Sequence, residues 1–117
     1  MEKCKLEKAR TTQKMLEGLV NKVNKLTSGN MSHNIPSIRS VTLNINEVMI
    51  DDLIKSCEDD DFELKQLLEN IERNIRGVDG MLQELTPITV NNGKKHLSSW
   101  IQFYVDALDK ALLRYEI

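Results

Sequence analysis

The sequence predicts an all-α protein, either an antiparallel helical bundle or an extended helical hairpin. We expect three long helices, or four if the second one breaks near Asp59–Asp61. Apolar residues recur every seven positions over long stretches, as expected when one stripe of a helix is buried against another helix. Only two prolines and five glycines occur in 117 residues, so few positions interrupt a helix. The length suits a single helical domain over residues 1–117.

The first helix is predicted over residues 2–27. Its stripe consists of two series of residues spaced seven positions apart: Ala9, Leu16 and Val23, and Thr12, Leu19 and Leu26. Residues 1–26 carry seven basic and three acidic side chains. Two interpretations of this basic helix stay open. It could contact phosphates of nucleic acid or of an anionic membrane, or its lysines could pair with the acidic helix that follows.

Residues 28–43 are predicted to form a loop, because they contain Gly29, Pro36 and several Asn and Ser residues. The end of this loop alternates apolar and polar residues, with Val41, Leu43 and Ile45 as the apolar ones. With no second strand to pair with, we interpret it as an extended lead-in to a helix. Asn44 and Glu47 have the spacing of a capping box at the start of that helix.

The next stretch carries the strongest pattern in the chain. A heptad series runs through it, formed by Ile50, Cys57, Leu64, Ile71, Val78 and Leu85. Residues 58–61 interrupt it with four consecutive carboxylates, which repel one another in one helical turn. We favour helices over 44–58 and 60–86, with Asp59 or Asp60 as the cap, over one continuous helix. Asn74 lies on the seam, where it either fixes the register of two helices or marks the edge of their interface.

The last helix is predicted over residues 94–116, after a loop at 87–93 with a turn at Asn91–Gly93. Its apolar residues cover much of the helix circumference. They include three of the five aromatic residues of the chain, Trp100, Phe103 and Tyr104. A helix with so broad an apolar face buries more than one flank, so it lies at the centre of a bundle or also contacts a partner.

Catalytic and metal sites are not expected. His33, His96, Cys4 and Cys57 are too dispersed in sequence to suggest a zinc site. Asp59, Asp61 and Glu63 resemble the start of a calcium loop, but Leu64 stands where that loop needs glycine. The acidic residues after Cys57 would raise the pKa of its thiol, which argues against a nucleophile. We therefore predict no enzyme activity, no metal and no cofactor.

The sequence favours a non-catalytic interaction subunit, a scaffold or adaptor that binds another helical chain or a second copy of itself. The predicted partner-binding residues are Trp100, Phe103, Tyr104, Leu108, Leu112, Leu64, Ile71 and Val78. The alternatives are polyanion or membrane contact through the basic first helix, and a small regulator that captures a partner's peptide helix. No stretch is long and apolar enough for a membrane span, and the two isolated cysteines favour an intracellular location, cytoplasmic or nuclear.

Overall fold

The computed structural model describes residues 2–116, and this part of the chain contains helices and turns but no β-strand. The α-helices are α1 (Lys3–Asn24), α2 (Met31–Asn44), α3 (Asp51–Ser56), α4 (Phe62–Glu84) and α5 (Val90–Leu113). A π-helical segment, Ile45–Ile50, joins α2 to α3 without interruption, so residues 31–56 form one rod. A 3-10 turn, Asp59–Asp61, precedes α4. The prediction of an all-α fold is confirmed.

The four long elements, α1, the 31–56 rod, α4 and α5, pack side by side as an antiparallel bundle. Their directions follow from cross-helix contacts: Lys5 with Ser56, Arg39 with Asp79, Glu63 with Arg114, and Leu26 with Lys94. Each element therefore runs opposite to the one before it, and α5 returns beside α1. The particle measures 46 × 22 × 19 Å, as expected for helices of 22 to 24 residues lying along one axis.

The predicted loop at 28–43 is wrong, because Met31–Asn44 is helical. Met31, Ile38 and Ile45 are seven residues apart and all buried, which is a helical stripe hidden among turn-forming residues. Pro36 is tolerated because it lies on the exposed side of α2, where water can reach the carbonyl left without an N–H donor. Asn44 is consequently an interior residue of the rod and caps no helix.

The π-helical segment carries an unusual buried side chain, Asn46, which is only 4% exposed. Its Nδ2 donates a hydrogen bond of 2.8 Å to the main-chain carbonyl of Glu72 in α4. No donor among the described residues reaches its Oδ1. The segment therefore fixes the rod against α4 at the cost of one buried acceptor without a protein partner.

The predicted break in the acidic run is confirmed: α3 ends at Ser56, and Cys57 and Glu58 have extended backbones. The cap is Glu58, not Asp59 or Asp60, since Glu58 and Asp61 form a capping box. The Asp61 carboxylate is 3% exposed and also accepts a 2.9 Å hydrogen bond from the Tyr115 hydroxyl. Burial and the neighbouring Asp61 raise the pKa of Tyr115 to about 12, so that hydroxyl keeps its proton at neutral pH.

The same reciprocal hydrogen-bonded box occurs at all three connections between the long elements, each time between residues three positions apart. The pairs are Thr27 with Asn30, Glu58 with Asp61, and Thr86 with Thr89. In each box a side chain of one residue accepts from the main-chain N–H of the other, which satisfies donors that a helix start leaves free. The connections are therefore defined locally by their own residues.

The predicted loop at 87–93 is too long, because α5 begins at Val90 and Asn91–Gly93 lie in its first turn. The true turn is Thr86–Thr89. A Cβ atom at Gly93 would lie 2.3 Å from Cδ2 of Leu85, so a side chain here would displace the end of the Leu85 side chain. The absence of a side chain allows the start of α5 to pack closely on the end of α4.

The bundle consists of two helical hairpins, residues 3–56 and residues 62–113, with matching inward faces. Buried positions of the first hairpin have buried counterparts 59 residues later, for example Leu16 with Ile75 and Ile38 with Leu97. The two turns coincide in this alignment, with Leu26–Thr27 opposite Leu85–Thr86. Few aligned residues are identical, so the equivalence lies in the burial pattern. Each hairpin presents the same kind of apolar surface to the other.

Candidate interaction surface

The structure places five of the eight predicted partner-binding residues deep in the core of the chain itself. Leu64, Ile71 and Val78 of α4 and Leu108 and Leu112 of α5 are each at most 2% exposed. Tyr104 is 9% exposed and belongs to the same core. These six residues therefore do not form a surface that a partner could contact, which corrects this part of the prediction.

The reason for the correction is the unpredicted length of the second rod. The sequence interpretation left residues 28–43 outside any helix, so the remaining helices had more apolar surface than they could cover. In the structure α2 lies against α4, and the buried Met31, Ile38 and Ile45 extend the core over this region. The apolar surface that the sequence interpretation assigned to a partner is covered by the chain's own helix.

The remaining two predicted residues, Phe103 and Trp100, do reach the surface. Phe103 is 64% exposed, and Trp100 is half-buried. They lie on a shallow groove of about 460 Å³ between α4 and α5. We call this groove the aromatic face and define it by its lining residues: Met81, His96, Ser99, Trp100 and Phe103.

The Trp100 side chain is held in a fixed orientation on this face. Its Nε1 donates a 3.0 Å hydrogen bond to Oδ1 of Asn74 in α4. Asn74 in turn donates from Nδ2 to the main-chain carbonyl of Asn70, at 2.8 Å. The indole ring lies over Gly77, where a Cβ atom would be 2.8 Å from Cη2 of Trp100. Asn74 thus marks the edge of the α4–α5 interface, as one of the two sequence interpretations had it.

The aromatic face has no counterpart on the other hairpin. The positions 59 residues earlier are Lys22, Ser37, Ser40, Val41 and Asn44. The core of the first hairpin is complete with these small or polar residues at the same places. An exposed aromatic side chain at position 103 is therefore not required by the packing of such a hairpin, whereas Trp100 also packs on the core and over Gly77.

Two glycines of α4 provide a test of the contact between Trp100 and α4. Gly80 has open space around it, so Gly80→Ala should raise the free energy of unfolding by up to about 1 kcal/mol through helix propensity. Gly77→Ala should give a smaller gain or a loss, since the new methyl group displaces the indole ring. Chemical denaturation measures both, and Trp100 fluorescence should change only in Gly77→Ala. Equal gains with unchanged fluorescence would contradict this packing.

Three of the seven basic residues in residues 1–26, Lys5, Lys8 and Arg10, contact acidic or carbonyl groups elsewhere in the chain. Lys5 donates to the Ser56 carbonyl at 2.9 Å, and Lys8 lies 3.5 Å from a carboxylate oxygen of Asp52. These contacts agree with the interpretation in which the lysines pair with the acidic second rod. The structure adds a pairing with the end of α5, where Arg10 contacts Asp109 and Glu116, each at 2.6 Å. Hydrogen bonds from Arg10 and Gln13 hold the pKa of the Asp109 carboxyl below its ordinary value.

A second groove, of about 450 Å³, lies between α1 and the rod beside the π-helical segment. Its lining mixes apolar, polar and charged side chains: Cys4, Glu7, Lys8, Thr11, Thr12, Val48, Met49 and Asp52. Cys57 is half-buried elsewhere and donates from Sγ to the Leu53 carbonyl at 3.3 Å. Burial, and then the charge of Asp61, raises the pKa of its thiol, which disfavours the reactive thiolate.

Within residues 2–116, no cluster of three His, Cys, Asp or Glu side chains is arranged to hold a metal ion. None of the helices in this range combines the length and the apolar character that crossing a membrane requires. The features of the described surface that this geometry best equips for recognition are thus the exposed aromatic ring of Phe103 and the oriented indole of Trp100. Comparisons with protein families, with curated protein sequences and with solved structures found no match to this chain.

Proposed function

We propose that this protein is a non-catalytic interaction subunit, a scaffold or adaptor, that binds a helical protein chain on its aromatic face. The observation that carries the proposal is the placement of Trp100 and Phe103 at surface positions whose counterparts on the other hairpin are Val41 and Asn44. Surface aromatic residues that become buried when a partner binds contribute much of the binding energy in protein interfaces.

The geometry of the aromatic face suits a helix as its ligand. His96, Trp100 and Phe103 follow one another at intervals of four and three residues along α5, and so form a row parallel to the helix axis. Met81 borders the groove from α4 and supplies an adaptable apolar surface. A partner helix with apolar residues at the same intervals could lie along this row.

Preorganisation of Trp100 favours such binding. The hydrogen bond to Asn74 and the contact with Gly77 already fix the indole ring in the free protein. Binding then costs less side-chain entropy than it would with a mobile tryptophan. The exposed polar residues Ser99 and Gln102 border the same side of α5 and can accept or donate hydrogen bonds at the rim.

Capture of a partner's peptide helix is the same mode of binding, and the groove between α4 and α5 is the place for it. Polyanion binding loses part of its support, because three of the seven basic residues in residues 1–26, Lys5, Lys8 and Arg10, contact groups of this chain. An intracellular, cytoplasmic or nuclear assembly fits two cysteines that are both free.

Substitution of Phe103 tests the proposal. Phe103→Gln should weaken self-association or binding to a partner by at least about tenfold, since it removes an aromatic anchor. The matched control is Leu43→Gln, which changes another exposed apolar residue, 45% exposed, on the other hairpin. Molar mass by light scattering across concentration measures self-association. If the protein is monomeric, affinity capture with the three chains compares how much of each binding protein they retain.

The expected result is a binding activity that Phe103→Gln reduces and Leu43→Gln leaves unchanged. Circular dichroism should show that both variants keep the helical fold, because both side chains are exposed. Equal reduction by both substitutions, or binding that neither one alters, would contradict the proposal. Binding that disappears with added salt and is insensitive to Phe103→Gln would instead favour polyanion contact.

A further inference from the structure

The connection between the two hairpins interrupts a pattern that the sequence continues. The rod and α4 share one heptad stripe, formed by Ile50, Cys57, Leu64, Ile71 and Val78. In the structure the chain reverses at residues 57–61, yet the members of this stripe on both sides of the turn point into the core. The same residues would form a single continuous stripe if residues 57–61 were helical.

This connection is also built differently from the other two. At the first and third turns the apolar residues that flank the box, Leu26 with Met31 and Leu85 with Val90, are buried or half-buried. At the middle turn the corresponding Phe62 is 60% exposed. Asp59 and Asp60 add exposed like charges in the same turn. The middle turn thus lacks the buried apolar pair, or hydrophobic staple, that flanks the box at the other two turns.

A single side chain, Asp61, makes the main contacts that hold the middle turn. Its carboxylate accepts hydrogen bonds from the Glu58 main-chain N–H at 3.2 Å and from the Tyr115 hydroxyl at 2.9 Å. The bond from the Glu58 N–H exists only in the reversed chain, because in a helix through residues 57–61 this N–H would donate to a main-chain carbonyl instead. The turn is therefore the point at which the two hairpins can separate while the smallest number of local interactions is broken.

We propose that residues 57–61 are a hinge, and that two copies of this chain exchange hairpins through it to form a dimer. In the dimer, residues 31–84 form one long helix in each chain. The hairpin 3–56 of one copy packs on the hairpin 62–113 of the other, and the partner is a second copy of the same chain. Each of the two bundles therefore pairs the same two buried faces as the monomer does.

The balance between the two forms depends chiefly on the hinge. Every contact between hairpins in the monomer is made again in the dimer, only between different chains. Monomer formation keeps the capping box of Glu58 and Asp61. Dimer formation gains helical hydrogen bonds over five residues, and concentration favours it. The inference is independent of the proposed function, because the exchange uses buried faces and leaves Phe103 exposed.

Proline provides a substitution that should lock the monomer. Asp59 follows the capping residue Glu58, and proline is well tolerated at this first helical position. The chain has the same arrangement at Thr86–Pro87. Glu58 has φ −97° and ψ 177°, a conformation compatible with a following proline. Asp59→Pro should thus keep the turn but forbid the continuous helix. Ser28→Pro, at the same position of the first turn, is the matched control.

The opposite change should favour the exchanged form. The double variant Asp59→Ala and Asp60→Ala removes two like charges and adds two residues with high helix propensity. Each chain is unfolded, refolded at high protein concentration, and its molar mass is measured by light scattering. We expect dimer in the wild-type protein, at least several-fold more in the double variant, and monomer alone in Asp59→Pro. Ser28→Pro should match the wild type.

Distance measurement identifies the exchanged form directly. Spin labels are placed at Ser40→Cys and Gly80→Cys in a chain without Cys4 and Cys57, both sites being exposed. In the monomer they lie near each other, because the neighbouring Arg39 and Asp79 are in contact at 2.9 Å. On one long helix they would be about 60 Å apart. Labelled chains diluted into unlabelled ones report the distance within one chain.

A distance near 60 Å in the dimer, absent in Asp59→Pro, supports hairpin exchange. A dimer with the short distance only, or one that forms equally in Asp59→Pro, overturns it. A wild-type protein and a double variant that both remain monomeric after refolding at high concentration overturn it as well. A dimer that Phe103→Gln removes and Asp59→Pro does not would belong to the aromatic face instead, so the two proposals fail separately.

Discussion

Leu108→Glu is expected to unfold the bundle at room temperature. Leu108 is fully buried in the C-terminal third of α5. Loss of a buried leucine alone costs about 2–5 kcal/mol, and a buried carboxylate with no partner adds several more. These costs together reach the whole stability of a typical domain, about 5–15 kcal/mol. Far-ultraviolet circular dichroism should therefore show the loss of most helical signal at neutral pH.

Phe103→Glu is the control for this prediction. It places the same charged side chain on the same helix, at a position that is 64% exposed. We expect this variant to retain its helical signal and a cooperative unfolding transition. If Leu108→Glu kept both its helicity and its molar mass, Leu108 would lie outside the core and the arrangement of α5 described above would be wrong.

Asn46→Asp is expected to lower the free energy of unfolding by about 3 kcal/mol or more at neutral pH. The amide Nδ2 of Asn46 now donates to the Glu72 carbonyl at 2.8 Å. A carboxylate in its place would direct two acceptor atoms at each other in a buried site. Burial and this carbonyl would raise the pKa of the new carboxyl in the folded state. Stability lost at neutral pH should consequently return as the pH falls below this raised pKa, where the protonated carboxyl can donate, and be fully regained near pH 4, the ordinary pKa of an unfolded aspartate.

Asn46→Leu separates this effect from the simple loss of the amide. The Glu72 carbonyl keeps its helical hydrogen bond in this variant, and the Oδ1 atom that no described donor reaches is removed. We expect a stability equal to or above that of the wild type, without the pH dependence of Asn46→Asp. Denaturation of the three proteins at pH 7 and pH 4 measures both effects. A stable, pH-independent Asn46→Asp would show that the side chain at this position reaches water.

Heptad spacing was sufficient to predict three of the four long elements. The stripes of α1, α4 and α5 lie where the sequence indicated, because burial of one apolar face dominates the choice of structure in long periodic segments. The break near Asp59–Asp61 also followed from a local cause, the repulsion and capping tendency of consecutive carboxylates.

The residue types of α2 favour a turn, and only the spacing of its buried residues indicates a helix. Asn34, Pro36 and Ser37 are typical of turns, and the stripe formed by Met31, Ile38 and Ile45 has only one large apolar residue per two turns. Tertiary packing against α4 outweighs these preferences. The spacing of seven residues between Met31, Ile38 and Ile45 is the sequence signal that reveals this stripe.

The error in the candidate site follows from the error in the fold. Without α2, residues such as Ile71 and Leu108 had no cover within the chain, and they were assigned to a partner. The apolar residues of α5 cover more of its circumference than the core can bury, so Phe103, at one edge of that apolar face, reaches the surface. The support of Trp100 by Asn74 and Gly77 depends on the rotation of two helices about their axes, which spacing in sequence does not determine.

The local boxes at the three connections have a consequence for how the chain reaches its structure. Each reversal is encoded by residues three positions apart, and elements adjacent in sequence are adjacent in space. Contacts within each hairpin are therefore local in sequence, whereas the packing of α1 on α5 joins residues as far apart as Arg10 and Asp109. Because closing a short loop costs less entropy than closing a long one, we expect each hairpin to form before α1 and α5 dock on each other.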